Sequence, residues 1–420
     1  FRSDNDTTNY ADQSEARSYV AGFVEQGAND ESFNLRGLAH ICLGNYDQAI
    51  RDFSQALDFD KNNSQYYANR GYVYDLQGNV EGAISEYERA IQLDNQNDTA
   101  WNNLGYALNS LGRYDEALEA YDESLKIDYE DNVVLSNRAD TYIALERYED
   151  AETDYNEAIR INPIAYNYNA RGLLYFNLGI YETALEDFMT ANETLPGDAV
   201  YLNNVGYTNY LLGNYEDALA YLNDSLAVDS SYVTARQNRG LAYWRLGENA
   251  LCIADYTVLL AVDSSDDFSY NNRGLCHEAL DQFDLAIDDF TRAIETNGTQ
   301  VVELQNRGWV LRQAERYEEA LADYSAAIEL DEFDAQSWND RGVVYDYMEE
   351  HDNALSDYSR AIEIDPSYAI SYYNRAYMHN ALGNTNLAIE DLETYISIAP
   401  DSPYIEDARE FLAELSGGDS

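Results

Sequence analysis

Apolar residues recur at helical spacing in pairs of short stretches along this chain. Within residues 304–331, Leu304, Gly308 and Leu311 form one stripe, at steps of four and three residues. A second stripe follows, made of Tyr317, Ala320, Leu321, Tyr324, Ala327 and Ile328. Mostly polar residues separate the two stripes. The pattern predicts two short amphipathic helices that fold back on each other.

The same unit recurs along nearly the whole chain, with a period of 34 residues and one interval of 33. Its first marker is a small residue in the first helix: Gly37, Gly71, Gly105, Ala139, Gly172, Gly206, Gly240, Gly274, Gly308, Gly342 and Ala376. Twelve residues later comes a second small residue, and four residues after that a large apolar one, as in Ala320 and Tyr324. Small residues allow the close helix contact that a tight hairpin needs.

A helical period of 34 residues with these markers resembles the tetratricopeptide repeat (TPR). The resemblance covers eleven copies, from Asp30 to Ser402. It implies an all-α fold, an α-solenoid in which tandem helix-turn-helix units wind into a right-handed superhelix. Residues 1–29 are then a polar tail and an N-terminal half-repeat helix, and residues 403–420 are a C-terminal capping helix and tail.

Net charge is the strongest feature of the composition. A formal charge of −53 over 420 residues excludes direct partners that need a basic surface, namely nucleic acid and anionic membranes. It favours a neutral or basic protein segment. Alternatively, the acidic surface only keeps a long solenoid soluble. The sequence predicts no metal site and no cofactor, apart from weak calcium binding by acidic turns.

Two columns of the repeat, that is, two positions compared across all copies, vary together. Nine copies have an arginine immediately before the small residue, and each of these copies has an acid sixteen residues later. The two copies that lack the arginine have Leu104 and Val205, and they have Ala120 and Tyr221 in place of the acid. We therefore expect a salt bridge between the two helices of each of the nine units.

A third column suggests a binding surface. In this family the first helices line a concave groove, and asparagines there resemble a ladder that holds a peptide backbone. The candidate ladder is Asn69, Asn103, Asn137, Asn204, Asn238, Asn272, Asn306 and Asn374. The alternative is that these amides bond to neighbouring repeats. Tyr210, Trp244 and Trp309 are candidate aromatic anchors in the groove, with Trp244 favoured as the exposed one.

Other chemistry is sparse. Cys252 and Cys276 are expected to be two buried thiols rather than a disulfide. No catalytic constellation is apparent, so we predict that the protein is not an enzyme. Five sequons are possible glycosylation sites, and their surface placement slightly favours an extracellular or cell-surface protein over a cytoplasmic one. They are Asn5, Asn62, Asn97, Asn223 and Asn297.

These patterns predict a non-catalytic scaffold for protein–protein interaction. It would hold an extended neutral or basic peptide, which could be the tail of another copy, in its asparagine-lined groove. The alternative is a secreted, glycosylated structural subunit that assembles end to end into a fibre or surface layer.

Overall fold

The computed structural model describes residues 13–23, 28–297 and 300–417, and within these ranges the regular structure is entirely helical. The helices are α1 (Gln13–Gly22), α2 (Asp30–Cys42), α3 (Tyr46–Phe59), α4 (Ser64–Leu76), α5 (Val80–Leu93), α6 (Asp98–Ser110), α7 (Tyr114–Ile127), α8 (Asn132–Ala144), α9 (Tyr148–Ile161), α10 (Ala165–Asn177), α11 (Tyr181–Thr194), α12 (Ala199–Leu211), α13 (Tyr215–Val228), α14 (Val233–Arg245), α15 (Asn249–Val262), α16 (Asp267–Glu278), α17 (Phe283–Asn297), α18 (Val301–Gln313), α19 (Tyr317–Leu330), α20 (Ala335–Tyr347), α21 (His351–Ile364), α22 (Ala369–Ala381), α23 (Thr385–Ile398) and α24 (Ile405–Leu415).

The helices form two compact units, Phe1–Leu212 and Gly213–Ser420. In the first unit, α2 pairs with α3, and the same hairpin recurs through α10 and α11. In the second unit, α14 pairs with α15, and the hairpin recurs through α22 and α23. Within each unit, each hairpin packs against the next one along the chain. The predicted all-α fold of tandem helical hairpins is therefore confirmed.

Close packing within a hairpin depends on the small residue of the first helix. A Cβ atom added at Gly105 would lie 2.6 Å from Cε1 of Tyr121, a contact that is too short to be tolerated. Tyr121 is fully buried, and its ring fills the space that the missing side chain leaves. The pairing of a small residue with a large one, which the period indicated, thus sets the distance between the two helices.

The turn inside each hairpin needs one residue in the left-handed backbone region. Glycine occupies this position in most described repeats, for example Gly44 with φ 71° and Gly383 with φ 78°. Glu146, Asp281, Glu315 and Glu349 adopt the same conformation with φ between 56° and 60°. Residues with a Cβ atom are strained there, because the side chain crowds the backbone.

All nine predicted arginine–acid pairs are present. Each guanidinium binds the carboxylate of the second helix through two nitrogens, with N–O distances of 2.6–3.0 Å. Both partners are largely buried; the Arg307 side chain is 21% exposed and that of Asp323 is 7% exposed. A forked pair of this kind fixes the geometry of the hairpin.

Eight of these arginines also reach back to the preceding repeat. Their Nη1 atoms bond a polar side chain on the preceding second helix, as in Arg70 to Ser54 Oγ at 3.0 Å and Arg307 to Thr291 Oγ1 at 3.0 Å. The other acceptors are Asp122, Asn156, Asn223, Thr257, Ser325 and Ser359. One guanidinium therefore joins three helices.

An aromatic ring three residues before the arginine often packs against its guanidinium. We call the paired acid, the acceptor on the preceding second helix and this ring the arginine seat. The guanidinium carbon of Arg341 lies 4.8 Å from the Trp338 ring centroid, and that of Arg70 lies 5.5 Å from the Tyr67 centroid. Phe33, Tyr270 and Tyr372 make the same contact in their own repeats. A cation over an aromatic face is electrostatically favourable.

A disulfide joins α15 to α16, so the expectation of two separate thiols at Cys252 and Cys276 is wrong. Their Cα atoms are 6.3 Å apart, and both side chains are fully buried. Cys252 occupies the small-residue column of α15, which packs directly against the first helix of the next repeat. That contact brings the two Cβ atoms within bonding reach.

The ends of the described chain pack on the repeats beside them. In the N-terminal unit, Phe23 lies 5.5 Å from Phe33, centroid to centroid, and Arg36 lies 4.0 Å above Phe23. In the C-terminal unit, Phe411 of α24 stacks on Tyr377 at 4.5 Å. Phe23, directly after α1, and Phe411 of α24 thus cover apolar surface of an adjacent hairpin. The predicted polar tail at residues 1–11 lies outside the described residues.

Candidate functional site

The asparagine column lies between neighbouring first helices. Nδ2 of Asn69 donates to Oδ1 of Asn34 at 2.8 Å, and Nδ2 of Asn137 donates to Oδ1 of Asn102 at 2.9 Å. Three further column members make the same bond to the preceding repeat, namely Asn204 to Asn169, Asn306 to Asn271 and Asn374 to Asn339. The column therefore holds successive repeats in register, as the alternative interpretation expected.

These amides are also poorly exposed. Asn69, Asn103 and Asn137 are 2–3% exposed, and Asn238 and Asn272 are 7% and 9% exposed. Nδ2 of Asn272 donates to the backbone oxygen of Phe268 at 2.8 Å. Asn204, Asn306 and Asn374 are half-buried. Since a carboxamide has two donors and two acceptor sites, the half-buried amides can bond both a neighbouring repeat and a bound peptide.

The acceptors of these bonds form a second asparagine column that the sequence analysis missed. Each lies one residue earlier in its own repeat, 35 residues before its donor, as Asn34 precedes Asn69. The signal was present in the sequence as doublets, such as Asn102-Asn103 and Asn271-Asn272. In both doublets it is the first asparagine that accepts from the following repeat, Asn102 from Asn137 and Asn271 from Asn306.

The predicted aromatic anchors differ in exposure. Trp244 is half-buried and packs against the cluster of Cys252, Tyr256 and Cys276, so it is not the exposed anchor that was expected. Tyr210 is also half-buried, and its ring stacks on Tyr207 with centroids 6.0 Å apart. Trp309 is 42% exposed, which makes it the most accessible of the three.

Trp309 belongs to a row of exposed aromatics on the first helices of the second unit. Tyr347 on α20 is 56% exposed, and Tyr377 on α22 is 44% exposed. Arg312 lies between the first two rings, 4.3 Å from the Trp309 centroid and 5.5 Å from that of Tyr347. We call Trp309, Tyr347 and Tyr377 the aromatic row.

A cleft of about 390 Å³ adjoins the aromatic row, and Asp346, Tyr347, Asn374 and Tyr377 are among its lining residues. Burial raises the pKa of Asp346 above its usual value, and His351 at 3.6 Å partly opposes that rise. Glu278 accepts a bond from the Trp309 indole at 3.4 Å. This surface therefore combines three aromatic rings with two carboxylates and the guanidinium of Arg312.

The sequons are not all at the surface. Asn62 and Asn223 are exposed, but Asn97 is 8% exposed, and its Nδ2 donates to Ser64 Oγ at 2.6 Å. The expected surface placement of Asn97 is therefore wrong, because its side chain caps α6 and bonds the preceding repeat. Asn5 and the side chain of Asn297 lie outside the described residues.

Residues 13–23, 28–297 and 300–417 hold no group of three or more His, Cys, Asp or Glu residues that could bind a metal ion. In the same part of the chain, no helix is long and apolar enough to cross a membrane.

Three solved structures are similar to this chain at low sequence identity. Cut9 in the APC/C complex with Hcn1 shares 15% identity over 96% of this chain and 93% of its own, with a TM-score of 0.48. Yeast Tom70 shares 15% identity over 92% and 96%, with a TM-score of 0.47. A tetratricopeptide repeat protein from Parabacteroides merdae shares 23% identity over 59% and 99%, with a TM-score of 0.45.

A comparison with curated protein sequences found no match. Five family models, each described as a TPR or tetratricopeptide repeat, match nearly all of the repeat region. The matched residues are 37–78, 76–112, 97–164, 136–199, 210–266, 268–299, 308–346 and 342–413. The chain therefore belongs to the tetratricopeptide repeat family.

Proposed function

We propose that this protein is a scaffold that holds an extended, neutral or basic segment of a partner against the first helices of its second unit. The TPR fold supports a role in protein–protein interaction, and proteins of this family are generally non-catalytic. The observation that carries the more specific proposal is the aromatic row, because its three large rings are exposed and two of them line a cleft that contains Asp346.

The rings, the carboxylates and the asparagine of this surface would contribute to binding in different ways. Exposed aromatic rings supply much of the binding energy at protein interfaces, because they bury a large area at a small entropic cost. Asp346 and Glu278 attract a basic side chain and repel an acidic one. The bond from Asn374 to Asn339 uses one donor hydrogen of the Asn374 carboxamide. The remaining donor and acceptor positions of this carboxamide can bond the peptide backbone.

Peptide selection tests the proposal without a known partner. The full chain is used to select binders from a random peptide library, and the selected peptides should be rich in Lys and Arg and poor in Asp and Glu. The double variant Trp309→Ala/Tyr377→Ala should weaken their binding by about tenfold or more. Phe333→Ala is the matched control, since Phe333 is 66% exposed in a turn between α19 and α20.

Two results would contradict the proposal. One is a set of selected peptides that bind the double variant as well as they bind the wild type. The other is an equal loss of binding in Phe333→Ala, which would show that any exposed aromatic ring is sufficient.

The disulfide favours one part of the alternative function, a location outside the reducing cytoplasm. Disulfides persist in oxidising compartments and are rare where thiols are kept reduced. We propose that the Cys252–Cys276 bond is formed in the protein isolated from its own cells. Alkylation of the denatured protein without reductant should then label Cys42, which is not part of this disulfide, and spare the other two. Labelling of all three would refute this.

A further inference from the structure

We propose that a pocket in the third repeat binds an arginine side chain of a partner protein, in the place where nine other repeats hold an arginine of their own. The pocket lies on α5, α6 and α7, and its volume is about 420 Å³. This site is separate from the aromatic row, because all of its residues belong to the first unit.

The third repeat lacks both members of the arginine–acid pair. Leu104 stands where nine other copies have the arginine, and Ala120 stands where they have the acid. Both residues line the pocket. In the ninth repeat, where Arg307 and Asp323 form the pair, the same positions line a smaller cavity of about 280 Å³. In the third repeat the cavity is larger, and Leu104 and Ala120 give it an apolar floor.

The rest of the arginine seat is still present. Trp101 lines the pocket three residues before Leu104, which is the position of Trp338 beneath Arg341 and of Tyr67 beneath Arg70. Glu88 lines it sixteen residues before Leu104, which is the position of the acceptor on the preceding second helix. The pocket therefore retains an aromatic platform and an anionic acceptor, both in the places where other repeats use them on a guanidinium.

The charge of the rim agrees with this occupant. Besides Glu88, the lining includes four carboxylates and two cations. The cations already have partners, since Arg113 binds Glu116 at 2.6 Å and Lys126 binds Glu123 at 2.6 Å. Asp122 also has a partner, since Arg138 of the next repeat binds it at 2.6 Å. The lining still carries two more carboxylates than these three cations neutralise, and this surplus favours a cationic ligand. Arginine suits the site better than lysine, because its planar guanidinium stacks on an indole and bonds carboxylates in a fork.

The experiment uses three short peptides of one sequence that differ at a single central residue. That residue is arginine, lysine or citrulline, the last being nearly the same shape as arginine but uncharged. The full chain carries Trp244→Tyr, Trp309→Tyr and Trp338→Tyr, so that Trp101 is the remaining one of its four tryptophans. Tryptophan fluorescence at low salt then reports on the pocket. The arginine peptide should bind at least about tenfold more tightly than the other two.

A second variant fills the pocket from within. Leu104→Arg/Ala120→Asp rebuilds the pair that nine other repeats contain, so it should fold normally, and it should weaken binding of the arginine peptide at least about tenfold. Glu88→Gln should weaken that binding several-fold, and this variant leaves the packing of the floor unchanged. The variant Trp309→Ala/Tyr377→Ala is made in the chain that keeps Trp101, Trp244 and Trp338. It should leave binding of the arginine peptide unaffected, which distinguishes this site from the aromatic row.

Three outcomes would overturn the inference. The first is no binding of the arginine peptide, and the second is equal binding of the arginine and citrulline peptides. The third is unchanged binding in both Leu104→Arg/Ala120→Asp and Glu88→Gln. If thermal melting shows that the double variant is unfolded, the Glu88→Gln result alone decides.

Discussion

The disulfide between α15 and α16 allows a quantitative test, because the repeats themselves supply the replacement residues. Ten of the eleven copies have alanine where the seventh has Cys252, and three copies have valine where the eighth has Cys276. The double variant Cys252→Ala/Cys276→Val therefore removes the bond and keeps a packing that the fold uses elsewhere. Both residues are fully buried, so the change does not alter the surface.

The expected loss of stability follows from the loop that the bond closes. The two cysteines are 24 residues apart in sequence. For a loop of that length, the chain-entropy relation gives a stabilisation of about 3.5 kcal/mol. A loss of that size should lower the urea midpoint by about 1 M, because the free energy of unfolding of a unit of this length falls steeply with urea concentration.

Trp244 provides the signal, because it packs against the cluster that contains both cysteines. Urea unfolding is followed by fluorescence in the wild type and the double variant, each with and without a reducing agent. Reductant should lower the midpoint of the wild type and leave that of the variant unchanged. Equal midpoints for the oxidised wild type and the variant would refute the reasoning, as would an equal effect of reductant on both proteins.

Three further predictions concern the stability of the repeats. Glu315→Gly should stabilise the protein to urea by about 1 kcal/mol, because it places glycine at a positive φ; a loss of stability would contradict this. Burial raises the pKa of Asp340 in the folded protein. The contribution of this carboxyl to the stability of the fold is therefore fully present at a pH below its pKa in the unfolded chain, and it is lost as pH rises through its pKa in the folded protein. Thermal melting at several pH values should therefore show that Asp340→Asn is increasingly more stable than the wild type as pH rises from about 4 to 7. With a net charge of −53, the melting temperature should rise between about 10 mM and about 150 mM salt, as self-repulsion is screened, and a flat dependence would refute that.

The hairpins and their arginine–acid pairs could be predicted from the sequence, because the repeat supplies internal comparisons. The change from arginine to Leu104 accompanies the change from an acid to Ala120, and such coupled change indicates contact. No comparable signal was available for the disulfide, since Cys252 and Cys276 each occur once in their columns. Contact between those columns became clear only from the packing of α15 on α16.

The candidate site was harder to predict than the fold. The asparagine column was correctly placed on the first helices, but the sequence could not show whether its amides face a ligand or a neighbouring repeat. The bond of Asn374 to Asn339 at 3.0 Å shows that they bond across repeats. Exposure was equally hard to predict. Trp244 and Trp309 both lie on first helices, but Trp244 packs on a core cluster and Trp309 is 42% exposed.

The backward reach of the arginines leaves two junctions between repeats without a bridging guanidinium. Arg70 bonds the second repeat to the first, and Arg138 bonds the fourth to the third. Leu104 cannot form such a bond between the third repeat and the second, and Val205 cannot form one between the sixth and the fifth. Under tension or mild denaturant, the repeats should therefore separate at these two junctions before they separate where an arginine bridges them.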